Sequence, residues 1–152
     1  MRIEDALKTN KFRDERHKVI LNIFYTSYCL RDQISIYLKE FDLTSEQFNV
    51  LRILRGSLPK SLCVKNIAER LIEKNSNVTR ILERLQRKEL IDRIPSEYDK
   101  RENVALITQK GLELLAILDT KMENGENEIV SITNEEAALL NQLLDKMREK
   151  CF

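Results

Sequence analysis

The chain has 152 residues, 42% hydrophobic and 34% charged, with three Gly and two Pro; this excludes a disordered or collagen-like chain and favours one helix-rich unit with solvated faces. Its formal net charge of +1 is unevenly spread: residues 1–101 carry 21 basic and 15 acidic side chains, residues 102–152 carry 5 and 10, so a polyanion would meet the first two-thirds. The cysteines (Cys29, Cys63, Cys151) are widely spaced, His17 has no metal-ligand companions, and no apolar run approaches the ~20 residues of a membrane span, so neither cofactor, metal nor membrane is expected and the cytoplasm is the expected compartment.

Residues 12–41 form the longest periodic segment. Ile20, Ile23, Ser27, Leu30, Ile34, Tyr37 and Phe41 recur in alternating three- and four-residue steps, with Phe24 and Leu38 beside them. That is a heptad-like seam on one long helix. Thr44-Ser45-Glu46-Gln47 is a capping box, opening a helix that buries Phe48, Leu51 and Leu54 and stops at Gly56. Pro59 lies in a linker, and Val64 to Leu71 is a short helix with Val64, Ile67, Ala68 and Leu71 on one face.

From Asn75 to Lys88 the apolar positions Val78, Ile81, Leu82 and Leu85 make the stripe of a one-sided helix. The other face holds Ser76, Asn77, Thr79, Arg80, Glu83, Arg84 and Arg87. Two short amphipathic helices joined by Ile72-Glu73-Lys74 make a helix-turn-helix pattern. Asn and Arg can hydrogen-bond base edges in pairs, while Ser and Thr reach phosphates or bases. The competing reading is a core-packing helix with an ordinary solvated face.

Ile91-Asp92-Arg93-Ile94-Pro95 and Val104 to Ile107 then read as the strands of a hairpin with a charged tip, Asp99-Lys100-Arg101-Glu102. Pro95 cannot donate to a ladder and marks an edge or the start of the loop. A hairpin after a helix-turn-helix is a wing, whose tip meets the backbone or the minor groove, where negative potential favours an inserted Arg. Arg101 is the expected intruder, oriented by Asp99. The alternative is a solvated Asp99–Arg101 pair that merely pins the turn, worth ~0–1 kcal/mol.

Thr108 next caps a helix striped with Leu112, Leu115, Leu118 and Met122, which the acidic turn Glu123-Asn124-Gly125-Glu126-Asn127 is expected to end. Thr133-Asn134-Glu135-Glu136 is a second capping box, opening a helix with Leu139, Leu140, Leu143, Leu144 and Met147 apolar. The fold class is therefore mainly α with a small β-hairpin wing. A winged lobe at residues 43–111 sits between helical arms at 12–41 and 112–152, within one unit. Apolar stripes of this extent imply pairing with a second subunit.

This order of parts resembles the MarR family, the multiple-antibiotic-resistance type of bacterial transcription regulators. The resemblance spans roughly residues 43–115. It is carried by Asn77-Val78-Thr79-Arg80-Ile81-Leu82-Glu83-Arg84-Leu85, by Asp99-Lys100-Arg101, and by Val104, Thr108 and Gly111. It implies a homodimeric repressor or activator on double-stranded DNA, a repressor being the expected one. The fourth helix would lie in the major groove through Ser76, Asn77, Thr79, Arg80, Arg84 and Arg87; the wing would place Asp99, Lys100 and Arg101 at the minor groove, and the terminal helices would make the dimer. Two departures stand out. Glu89 occupies a position where the family commonly has Gly, and the wing carries Glu97 and Glu102. The resemblance also implies relief by a small aromatic effector, for which Phe24, Tyr25, Tyr28, Tyr37 and Phe41 could line a pocket. Oxidant sensing through Cys29 is an alternative within the same fold. A helical protein–protein adaptor is the rival outside it, and nothing in the sequence supports an enzyme.

Overall fold

The computed structural model of the chain describes residues 1–74, 76–96, 102–129 and 131–149, without the side chains of 124–129. In chain order the elements are α1 (Ile3–Leu7), α2 (Glu15–Lys39), α3 (Ser45–Arg55), β1 (Leu62–Cys63), α4 (Val64–Arg70), α5 (Val78–Arg87), β2 (Ile91–Pro95), β3 (Asn103–Ile107), α6 (Gln109–Ile129) and α7 (Asn134–Arg148).

The long first arm forms one helix, α2. Asp14 caps α2 by accepting from the His17 N–H at 2.7 Å, so α2 begins at Glu15, inside the expected 12–41. Ahead of it lies α1, which periodicity does not reveal because it is five residues long and has no side-chain cap. Buried Ile3 and an ion pair from Glu4 to Lys18 (2.6 Å) dock it.

The capping box of α3 forms in both directions: the Gln47 N–H donates to Thr44 Oγ1 at 3.3 Å, and the Thr44 N–H to Gln47 Oε1 at 3.1 Å. Fixed in this way, α3 buries Phe48, Val50, Leu51, Ile53 and Leu54 and is the central helix of the lobe. Each such side chain contributes ~1.5–3 kcal/mol of transfer free energy. Around it close Ile67, Leu82, Leu85 and Ile91, while Leu38 of α2 and Leu115 and Leu118 of α6 join the same core, tying the arms to the lobe.

The expected hairpin forms, its strands pairing from Ile91 opposite Ile107 to Pro95 opposite Asn103. The sheet order is β1-β3-β2, so Pro95 lies on an edge strand, where a missing N–H is harmless. The third strand, β1, goes unannounced in the sequence: two residues, pairing Leu62 with Ala105 and Cys63 with Val104, are too short for a period to show. Cys63 also precedes α4, its thiol donating to Asn66 Oδ1 at 2.8 Å.

Two expectations about helix ends need correction. The acidic turn at 123–127 does not end the preceding helix; α6 continues through Gly125 to Ile129. A single mid-helix Gly costs about 1 kcal/mol relative to Ala, too little to stop a helix that no Pro interrupts. The recognition helix is also shorter than 75–88, because Asn77 is its cap rather than an interior residue. At the C-terminus, α7 opens on its Thr133–Glu136 box as expected, yet it buries none of its residues in the single chain.

Candidate nucleic-acid interface

Val78, Leu82 and Leu85 anchor α5 on the core. At ~100° per residue this leaves positions 80, 83, 84 and 87 on the opposite line, flanked by 79 and 86. Thr79, Arg80, Glu83, Arg84, Gln86 and Arg87 are all exposed. Among the described residues none of the three arginines forms an ion pair. The helix therefore presents unneutralised guanidinium groups on a rigid, core-anchored edge.

Its two ends are fixed differently. At the start, Asn77 Oδ1 accepts from the Arg80 N–H at 3.1 Å. This commits the carbonyl side of an exposed amide that the sequence suggests as a base reader. Ser76, half-buried, is held by its own N–H to the Glu73 carbonyl at 3.2 Å. At the end, the Glu89 N–H donates to the Gln86 carbonyl (2.9 Å) and the Leu90 N–H to the Leu85 carbonyl (3.1 Å). That is a Schellman motif. It places Glu89 at φ 62, so this chain keeps the left-handed turn with a side chain that Gly would spare.

A second left-handed residue, Asp42 at φ 52, closes α2. Lys88 joins the two turns by reaching the Asp42 carboxylate at 2.7 Å, and Lys88 holds that carboxyl below its usual range. On the other side of the hairpin, Thr108 Oγ1 accepts from the Gly111 N–H (3.1 Å) and donates to the Glu89 carbonyl (2.8 Å). A Cβ on Gly111 would meet the Leu90 carbonyl oxygen, and Ile107 Cγ1 at 2.8 Å. Thr108 and Gly111 thus lock the end of α5, the root of the hairpin and the start of α6 to one another.

The strands run out to the base of the wing, where the Ser96 N–H donates to the Glu102 carbonyl at 2.8 Å. Asp99, Lys100 and Arg101, expected at the wing tip, lie outside the described residues, as does Cys151.

The five aromatic residues expected to line an effector pocket are all at least partly exposed in the single chain. Phe24 and Tyr28 are 68% and 67% exposed, while Tyr25, Tyr37 and Phe41 are half-buried. Within α2 only Leu38 is fully buried. Phe41 lies under the Lys121 ammonium, 5.1 Å from its ring centre. A cleft that the sequence did not suggest, of about 170 Å³, opens between α2, α3 and the residues before α5, lined by Arg31, Ile34, Phe48, Arg52, Leu71 and Ile72 among others. Tyr28 lines a neighbouring cleft with Arg31 and Glu73. Arg31 pairs with Glu73 at 2.6 Å across this region, tying α2 to the turn ahead of α5. Cys29 is a free, half-buried thiol in mid-helix.

A short helix, a cationic one-sided second helix and a following antiparallel hairpin, all fixed to one core, define a winged helix-turn-helix DNA-binding protein. Residues 43–103 match the model of the MarR family. The chain is 27% identical over 120 residues to the HTH-type transcriptional regulator MhqR of Bacillus subtilis, covering 78% of this chain and 79% of that protein. It is 27% identical over 141 residues to the HTH-type transcriptional regulator MgrA of Staphylococcus aureus, covering 88% and 92%. Its fold superposes with a TM-score of 0.78 on a MarR variant from E. coli complexed with operator DNA, at 24% identity, covering 91% and 99%. Residues 43–103 thus form a MarR-family domain, and the chain is similar along most of its length to HTH-type transcriptional regulators. No helix among the described residues is long and apolar enough to cross a membrane.

Proposed function

We propose that the chain is a homodimeric repressor that binds an imperfect palindrome in duplex DNA and is released by a small aromatic effector. The observation that carries this reading is the outward line of α5, three arginines without an ion pair among the described residues on a helix whose other side is anchored in the core. In the dimer two such helices enter successive major grooves ~34–36 Å apart, which makes the site palindromic. The E. coli MarR variant in complex with operator DNA, although only 24% identical, supports this placement by its fold.

The dimer follows from the arms. Leu139, Leu143 and Phe24 are 57%, 53% and 68% exposed in the single chain, more apolar surface than a monomer leaves open. Arg101 enters the minor groove at the wing, with Asp99 orienting it and Lys100 on the backbone. The effector occupies the cleft between α2 and α3, where Arg31 and Arg52 face an acidic or phenolic group and Ile34, Phe48 and Leu71 take its ring. By displacing the Arg31–Glu73 pair it favours a lobe position in which α5 no longer fits the groove.

A gel shift on the DNA upstream of the chain's own gene, at two salt concentrations, tests the proposal. A discrete, salt-sensitive complex is expected; no complex at low salt would overturn it. Arg101→Ala should weaken that complex without changing which duplex is preferred, and unchanged affinity would remove the wing from the interface.

A further inference from the structure

Glu83 is the residue of α5 that the cationic reading leaves unused. It stands on the outward side of the helix with Arg80, Arg84 and Arg87, exposed to solvent, and it is the single acid between Val78 and Arg87. None of the neighbouring arginines neutralises it. Arg87 Nε donates to the Glu83 backbone carbonyl at 3.4 Å, not to its carboxylate. Among the described residues Glu83 has no ion pair.

On a face that served only to hold phosphates, such a carboxylate would be a pure loss, since affinity there grows with each phosphate that a cation neutralises. A carboxylate is favoured on this face only opposite a hydrogen-bond donor. In the major groove the donors are the amino groups of cytosine and adenine. Cytosine offers its N4 amine alone, whereas adenine sets the N7 acceptor beside its N6 amine. An ionised acid thus fits cytosine and is repelled by the acceptors of guanine and thymine. The three arginines around Glu83 lower the repulsion between its charge and the backbone, which lets it approach the base edges.

The geometry points to Glu83 as a specificity-determining residue that accepts a hydrogen bond from the N4 amine of a cytosine in each half-site. Its charge acts at the same time against binding to unrelated sequence, where it meets acceptors with no compensating donor. This inference rests on α5 lying in the major groove, as proposed above.

Selection of bound duplexes from a random-sequence library, with the intact parent chain, Glu83→Gln and Glu83→Ala, tests it. The parent should enrich a cytosine at one position of each half-site. Glu83→Gln should change that position to adenine, because an amide pairs with N6 and N7 together. Glu83→Ala should leave the position unspecified, with a roughly ten-fold loss of discrimination there, and both variants should bind unselected duplex more tightly than the parent. If both variants enrich the parent's sequence with the same preference at every position, Glu83 reads no base and the inference fails, while the groove placement of α5 stands. A parent that enriches no sequence at all overturns that placement, and the inference with it.

Discussion

Single residues decide how the DNA-binding lobe is held, and two neighbouring positions make opposite predictions. Gly111 is glycine because the Leu90 carbonyl and Ile107 occupy the space of a Cβ. Gly111→Ala should therefore destabilise the fold by roughly 1–3 kcal/mol, the usual penalty for overpacking, read as a lower midpoint in urea. Glu89 shows the reverse. It holds a left-handed φ of 62 without being glycine, a conformation disfavoured for side-chain-bearing residues. Lys110 lies 2.7 Å from its carboxylate, but both side chains are exposed and such pairs contribute little. Glu89→Gly should raise the Tm by roughly 2–4 °C for a chain of this size; a fall would mean that the Lys110 pair outweighs the strain. The sequence displayed both residues. Thr108 and Gly111 were legible as a helix start, whereas the reason for the glycine, a carbonyl from the turn after α5, depends on a tertiary contact that no local pattern encodes.

At the scale of the element, α5 is the part that most repays inspection. Its stripe at Val78, Leu82 and Leu85 was readable and is the face that is buried. Its start was not, because Asn is both a good base reader and a good cap, and the side chain of Asn77 caps. Asn77→Ala should thus cost about 1 kcal/mol of stability and speed amide hydrogen exchange in the first turn of α5, besides altering DNA preference. Unchanged exchange at Thr79 and Arg80 would show that the cap is dispensable. The hairpin strands were legible from β-branched residues and Pro95, but β1 was not, since pairing of two residues is decided by β3 rather than by Leu62 and Cys63 themselves. The long α6 was misjudged for a related reason. Asn and Gly suggest a turn locally, yet a helix already propagating from Thr108 carries through them.

For the whole molecule, the core unites the lobe with both arms through Leu38, Leu115 and Leu118, and the arms leave Phe24, Leu139 and Leu143 exposed on the single chain. Leu139→Glu with Leu143→Glu should convert a dimer in light-scattering measurements to a monomer, with little change in helix content; a persistent dimer would move the interface off α7. Acid should loosen the structure. Glu4 is lowered to about 2, chiefly by Lys18, and Lys88 and Lys110 lower Asp42 and Glu89 in the same sense. These carboxyls bind protons more readily in the unfolded chain, so their contribution is complete above pH ~4.5 and is lost as pH falls toward 2. The urea midpoint should accordingly decline between about pH 5 and pH 2, and a midpoint constant over that window would show that these pairs do not support the fold. The sequence supplied the charge asymmetry and the apolar stripes of the arms, but not where the arms leave a cleft, because that depends on how α2 and α3 cross.

The central claim is that the outward arginines of α5 meet phosphates and bases of duplex DNA. Fluorescence anisotropy on a selected duplex across a salt series, for the parent and for Arg84→Ala, measures this directly. The parent should lose affinity steeply with salt, and Arg84→Ala, by removing one charge from each half of a dimer, should reduce the logarithmic slope by about 2. A slope that Arg84→Ala leaves unchanged would contradict the account.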